Sequence, residues 1–179
     1  MKNFDPLNQA PDIRVCGVDE LDAEIACQPR SIISIWDPKS EDMQRHLENI
    51  KRRLPAPKVC VARFDDIASE TPGRHLMKSE DMEEILRFSR TAPSPILIHC
   101  RAGISRSTAV AYAILCQARG PGHELECMVE LTRIRPQAVP NEYIVGLADT
   151  ALRREGAMLR AYRSHMQKYI IGGGHEGEP

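Results

Sequence analysis

Apolar positions along the chain follow two alternating rhythms. Short β-branched runs alternate with longer stretches in which apolar residues return every third or fourth position. The runs read as strands and the stretches as helices. Ile13 to Val18 predicts a weak first strand. Ser31 to Trp36 (SIISIW) predicts a stronger one, closed by Asp37-Pro38. Met43, Leu47, Ile50 and Leu54 then predict a helix, capped by Ser40 or Asp37 and stopped by Pro55 and Pro57. Val59 to Phe64 is the next strand, and residues 65 to 78, carrying Asp, Ser, Thr, Pro and Gly, form a loop. Ser79, Glu80 and Asp81 open a helix whose apolar face is Met82, Ile85 and Leu86.

After the Pro93-Ser94-Pro95 turn, Ile96-Leu97-Ile98 is apolar without alternation, as a central parallel strand should be. A helix follows from about Ser107 to Arg119, ended by Gly120-Pro121-Gly122. Leu125, Met128, Val129 and Thr132 mark another before Pro136. Asn141 caps a long final helical region with Gly156 as its point of division, and Gly172 to Pro179 reads as a disordered tail. The alternation predicts a single α/β domain over residues 1–171, with a central, mainly parallel sheet flanked by helices.

Composition narrows the function classes. The 179 residues suit one domain, and the net charge of -1 provides no global basic field. Nucleic acid is therefore not an expected partner, and any phosphate-binding power must be local. Met1 to Pro6 lacks the apolar stretch of a secretory leader, and no run is long enough to span a bilayer. A cytoplasmic chain without membrane insertion is the expectation. The six cysteines (Cys16, Cys27, Cys60, Cys100, Cys116 and Cys127) show no Cys-x-x-Cys or zinc-ligand spacing. They read as reduced and mostly buried thiols. His75, His123 and His165 are scattered, so no metal and no other cofactor is implied. Lys51-Arg52-Arg53 and Arg153-Arg154 read as solvated helix faces, and Trp36 as strand-end packing.

The chemistry is concentrated in residues 95 to 119, where a strand, a turn and a helix start follow one another. Open α/β sheets bind ligands at such a junction. The turn reads His99-Cys100-Arg101-Ala102-Gly103-Ile104-Ser105-Arg106-Ser107. Its backbone from Arg101 to Arg106 can wrap successive N–H groups around an anion. The helix behind it adds unpaired N–H groups and the positive end of its dipole. Gly103 lets the backbone turn without a Cβ in the way. Arg106, six residues after Cys100, carries a guanidinium fork suited to two phosphate oxygens. Positive surroundings of this kind activate a cysteine as a nucleophile, which is the role expected of Cys100.

HCRAGISRS resembles the His-Cys-x-x-Gly-x-x-Arg-Ser/Thr loop of cysteine-based protein tyrosine phosphatases, with Ala-Gly-Ile-Ser-Arg-Ser most like the dual-specificity branch and its small stand-alone bacterial members. The resemblance extends weakly over residues 30 to 150. It implies a phosphate-binding loop between a central strand and a helix N-terminus, formed by Arg101, Ala102, Gly103, Ile104, Ser105 and Arg106. It also implies a general acid from an Asp on a separate loop, some thirty residues before the cysteine. Phe64-Asp65-Asp66-Ile67 lies at about that distance, with Asp66 the better match, Asp65 the runner-up, and Glu70 or Asp81 not eliminated. By the same resemblance the Ser107 hydroxyl assists departure of the sulfur, and His99 orients the loop from behind. Asn141, in Pro140-Asn141, braces it. Plainer readings stand beside these. Asp65 and Asp66 can be a loop-opening pair, Ser107 and Asn141 helix caps, and His99 a satisfied structural histidine.

The expected activity is metal-independent hydrolysis of a phosphate monoester through a phosphocysteine. Phosphotyrosine in proteins is the first expected substrate, with phosphoserine and phosphothreonine next. Inositol phosphates or lipids and RNA 5′-phosphates are alternatives, and Ile104, in place of an extra lysine, counts against inositol lipids. A module that binds phosphate without turnover and a sulfurtransferase are the readings from other classes. The intact Cys100, Arg106 and Asp66 set disfavours the first, and the six-residue step from Cys to Arg the second.

Overall fold

The computed structural model describes residues 11–171, with side chains through Lys168. The predicted disordered tail lies outside the described residues. Among these, four strands and seven α-helices alternate along the chain: β1 (Ile13–Cys16), α1 (Leu21–Ala26), β2 (Ser31–Trp36), α2 (Met43–Arg53), β3 (Lys58–Arg63), α3 (Ser79–Thr91), β4 (Ile96–His99), α4 (Arg106–Arg119), α5 (Glu124–Ile134), α6 (Glu142–Ala151) and α7 (Ala157–Ile171). A single 3-10 turn, Val18–Glu20, joins β1 to α1. The sheet order is β1-β4-β2-β3 and every pairing is parallel. The α/β architecture with a parallel sheet is thus as the alternation implied.

β4 lies between β1 and β2 and is buried at all four positions. Its continuous apolar run reflects helices on both faces. On one face Ile32, Leu97 and Cys16 pack with Leu21 and Ile25 of α1 and Ile50 of α2. On the other, Ile33, Ile35, Ile96 and Ile98 pack against α3 to α7. Helix α4 is buried from Arg106 to Cys116 and forms the axis of this larger core. The Tyr112 hydroxyl ties it to its neighbours by donating to the carbonyls of Glu124 and Met158.

Four expectations need correction. The first strand stops at Cys16, because Val18 already belongs to the 3-10 turn. Helix α1 was not predicted. Its six residues carry only Leu21 and Ile25 as buried positions, too short a pattern to show a helical period. The cap position of α2 is Asp42, not Ser40 or Asp37. The final helical region divides at Gly156 as expected: the break between α6 and α7 spans residues 152–156, and Gly156 ends it with a φ of 81°. Arg154 sits in this break rather than on a helix face. It is buried, donates to the Cys116 carbonyl at 2.7 Å and faces Glu124 at 3.6 Å.

Candidate active site

The turn after β4 folds tightly against the turn after β1. Gly103 has a φ of 69°, and a Cβ there would lie 2.4 Å from the Cys16 carbonyl carbon and the Gly17 nitrogen. Glycine is therefore required for both conformation and space. The Val18 N–H donates to the Arg101 carbonyl at 3.0 Å, joining the two turns. Cys100 emerges from β4 at the centre of this loop and is 2% exposed. Its Sγ lies 3.2 Å from the Ser107 Oγ. The cap position of α4 is Ser105, so Ser107 is not the N-cap. It lies buried in the first turn, facing the sulfur.

Arg106, also in the first turn of α4, is almost wholly buried. Its Nη1 donates to Asp37 Oδ1 at 3.0 Å and to the Phe64 carbonyl at 2.9 Å. Nε is buried without a partner. The guanidinium is thus held at one corner, with its Nε edge unspent. A buried cation left partly unsatisfied is costly unless an anion completes it. Asp37, read from sequence as a strand terminator or cap, is the residue that anchors it.

Asp65 and Asp66 are adjacent but placed differently. Asp65 is buried, accepts from the His75 N–H at 2.7 Å and pairs with Arg74 at 3.0 Å, which closes the 65–75 loop on itself. Asp66 is exposed and turns to the Cys100 loop, where its Oδ1 accepts from Ser105 Oγ at 2.8 Å and Asn141 Nδ2 at 2.9 Å. Glu70 is exposed in the same loop, and Asp81 accepts from the Lys78 N–H at the start of α3. Asn141 does two things at once. Its Oδ1 caps α6 by accepting from the Ile144 N–H at 3.2 Å, and its own N–H donates to the Ser105 carbonyl at 3.3 Å.

Behind the loop, His99 Nε2 lies 2.7 Å from Ser34 Oγ, which also accepts from Trp36 Nε1 at 2.6 Å. The indole can only donate, so Ser34 Oγ accepts from Trp36 and links it to the His99 ring. Burial lowers the His99 pKa to about 4, with the charge of His46 adding to this and the Cys100 backbone opposing it. His99 is therefore neutral near pH 7. Trp36 is more than packing, since it also lies between His46, tilted at 32°, and His99, met edge-on at 80°, each at a ring separation of 5.3 Å.

Two residues of the site gave no sequence signal. Arg135, just past α5, donates from Nε to the Gly103 carbonyl at 3.0 Å and from Nη2 to the Ala102 carbonyl at 3.4 Å. It also forks onto Glu20 at 2.8 and 2.7 Å. On the outer rim Arg101, Ala102 and Ile104 are exposed, and the Val139 N–H donates to the Ile104 carbonyl at 2.9 Å. A surface hollow of about 850 Å³ lies between residues 70–80 and Tyr143 and includes none of the Cys100 loop.

Neither a protein-family model nor a curated protein matches the sequence. Solved structures do match. Tk-PTP in its active form is 23% identical and aligns over 83% of this chain and 95% of its own, with a TM-score of 0.55. The PTP-2 phosphatase of Cydia pomonella is 18% identical over 80% and 86%, with a TM-score of 0.56. DUSP15 is 18% identical over 90% and 95%, with a TM-score of 0.53. The chain has the fold of the cysteine-based tyrosine and dual-specificity phosphatases. Within this phosphatase fold the structure brings Cys100, Arg106, Ser107, Asp66 and Asn141 to one loop, with His99 beneath it. It leaves Asp65, Glu70 and Asp81 outside.

Proposed function

We propose that the protein hydrolyses phosphate monoesters through a phosphocysteine at Cys100, with phosphotyrosine in proteins as the preferred substrate. The observation that carries this reading is the state of Arg106. It is buried in the helix turn behind Cys100, fixed at Nη1 by Asp37 and Phe64, and unpartnered at Nε. A guanidinium so placed is a receptor for a phosphate oxygen pair. In the first step the Cys100 sulfur attacks phosphorus as the ester P–O bond breaks, and Asp66 gives its proton to the departing oxygen. Arg106 and the loop N–H groups hold the remaining oxygens. In the second step water attacks phosphorus and the P–S bond breaks. The ionised Asp66 takes the water proton, and the Ser107 hydroxyl donates to the leaving sulfur.

The rim supports an aryl ester. Ile104 is 36% exposed and Val139 50%, side by side at the mouth of the loop. An aromatic ring covers such surface favourably, whereas a multiply charged headgroup would need cations there. Phosphate release from phosphotyrosine, phosphoserine, phosphothreonine, inositol lipid and RNA 5′-phosphate tests the reading. Fastest release from phosphotyrosine peptides is expected. Binding of phosphotyrosine with no release from any ester would make the protein a recognition module instead.

A further inference from the structure

The walls of the Cys100 loop raise a problem that the loop does not solve alone. For backbone N–H groups to point inward at an anion, the carbonyls on the same rigid peptide planes must point outward. The inward N–H groups of Ala102, Gly103 and Ile104 thus leave the carbonyls of Arg101, Ala102 and Gly103 facing away, each needing a donor from elsewhere. The Val18 N–H serves Arg101, and the Arg135 guanidinium serves both Ala102 and Gly103.

Arg135 is in turn fixed. Glu20 accepts a fork from both of its Nη atoms, and Glu20 Oε2 also accepts from the Gly17 N–H at 2.7 Å. Gly17 itself touches the loop, since a Cβ there would lie 3.0 Å from the Ala102 carbonyl. The side chain of Arg135 is 11% exposed and that of Glu20 47%, so this strap lies at the outer edge of the site rather than in the core. The charges sense one another. The Arg135 hydrogen bonds and the Gly17 N–H hold Glu20 below the usual carboxylate range. Arg135 is raised, chiefly by its hydrogen bonds to Glu20, with burial opposing and Cys16 and Cys100 adding least.

We propose that Glu20 and Arg135 are positioning residues of the phosphate loop, a strap that holds its N–H groups turned inward before any phosphate arrives. The strap rests on the reading of Cys100 and its loop as an oxyanion site, and it goes beyond the residues that touch substrate. Neither member contacts the phosphate. Their effect is exerted through the carbonyls of Ala102 and Gly103 and through a positive charge behind the sulfur.

The test compares Arg135→Ala, Arg135→Lys and Glu20→Gln with Arg53→Ala. The last removes an ion pair to Asp22 on the same side of the sheet but away from the loop. Two readouts apply: the pH profile of Cys100 alkylation by iodoacetamide, and the vanadate concentration that half-protects Cys100 from it. Neither needs turnover, so a parent protein that releases no phosphate would refute the proposed reaction while leaving the strap measurable. Arg135→Ala should raise the protecting vanadate concentration roughly tenfold or more. It should also move alkylation to higher pH. Arg135→Lys keeps the charge but not the fork, so it should lose vanadate affinity with a smaller shift in the profile. Glu20→Gln should move both readouts in the same direction by less, and Arg53→Ala neither. If Arg135→Ala does not fold, Arg135→Lys carries the test. Wild-type protection and alkylation in folded Arg135→Lys and Glu20→Gln proteins would overturn the proposal and make the pair a structural brace only.

Discussion

The loop of Cys100 and the loop of Asp66 meet at the same site but are built differently. The first is tied by backbone groups at almost every residue, against the β1 turn, Arg135 and α6, and its cysteine and arginine are buried. The second runs from residue 64 to residue 78 without regular structure. It touches the first through the Phe64 carbonyl, which accepts from Arg106, and through Asp66, which accepts from Ser105, while Asn141 donates to both Asp66 and the Ile67 carbonyl. Preorganised donors matter most where charge must be met without reorganisation, and an acid must be free to exchange its proton with water. In the proposed reaction a firmly tied anion cradle and an exposed acid would divide the work accordingly.

Breaking the rigid loop should have the largest effect. Cys100→Ser is expected to abolish turnover while vanadate still binds, since the cradle survives. Arg106→Lys should fail nearly as badly, because an ammonium cannot keep the Asp37 and Phe64 contacts and still offer a fork. Kinetics with purified variants, with circular dichroism to confirm folding, would check both.

Changes in the looser loop should cost less and depend on the substrate. Asp66→Asn is expected to slow phosphotyrosine hydrolysis by ~10²–10⁴-fold. It should matter far less for an aryl phosphate whose leaving group is a weak base. Asp65→Asn should weaken the Arg74 and His75 contacts but leave the dependence on leaving group unchanged. The reverse pattern would move the acid by one residue.

The smallest of these effects is on stability and belongs to His99, beneath the rigid loop. Its folded pKa of about 4 lies below the ordinary 6.5, so the unfolded chain binds its proton first as pH falls. The stability this neutral imidazole represents is present above pH 6.5 and is lost between there and about pH 4. The loss should be of order 2–3 kcal/mol. Urea unfolding at pH 7 and pH 4.5 should show His99→Gln losing less on acidification than the parent.

How much of this was legible in the sequence follows from how local each feature is. The Cys100 loop could be read because its chemistry sits on one continuous segment, and the strands around it because burial on both faces leaves an unbroken apolar run. Asp66 could be preferred over Asp65 only by resemblance, and their different placement needed the loop to close on Arg74 and His75. Asp37, Ser34, Glu20 and Arg135 could not be read, because their roles come from strand register and packing. Ser34 meets His99 only through the β2–β4 pairing, and Glu20 meets Arg135 across 115 positions. Arg154 looked solvated because no local pattern announces a buried break between two helices.

The central claim is a covalent phosphoryl group on one sulfur. The direct measurement is rapid acid quenching of an Asp66→Asn protein during turnover of an activated aryl phosphate, followed by mass spectrometry of the peptide containing Cys100. In this variant the second step lacks its base, so a phosphocysteine at Cys100 should accumulate, and Cys100→Ser should give none. Steady phosphate release with Cys100 unmodified, or an adduct on a different residue, would contradict the account.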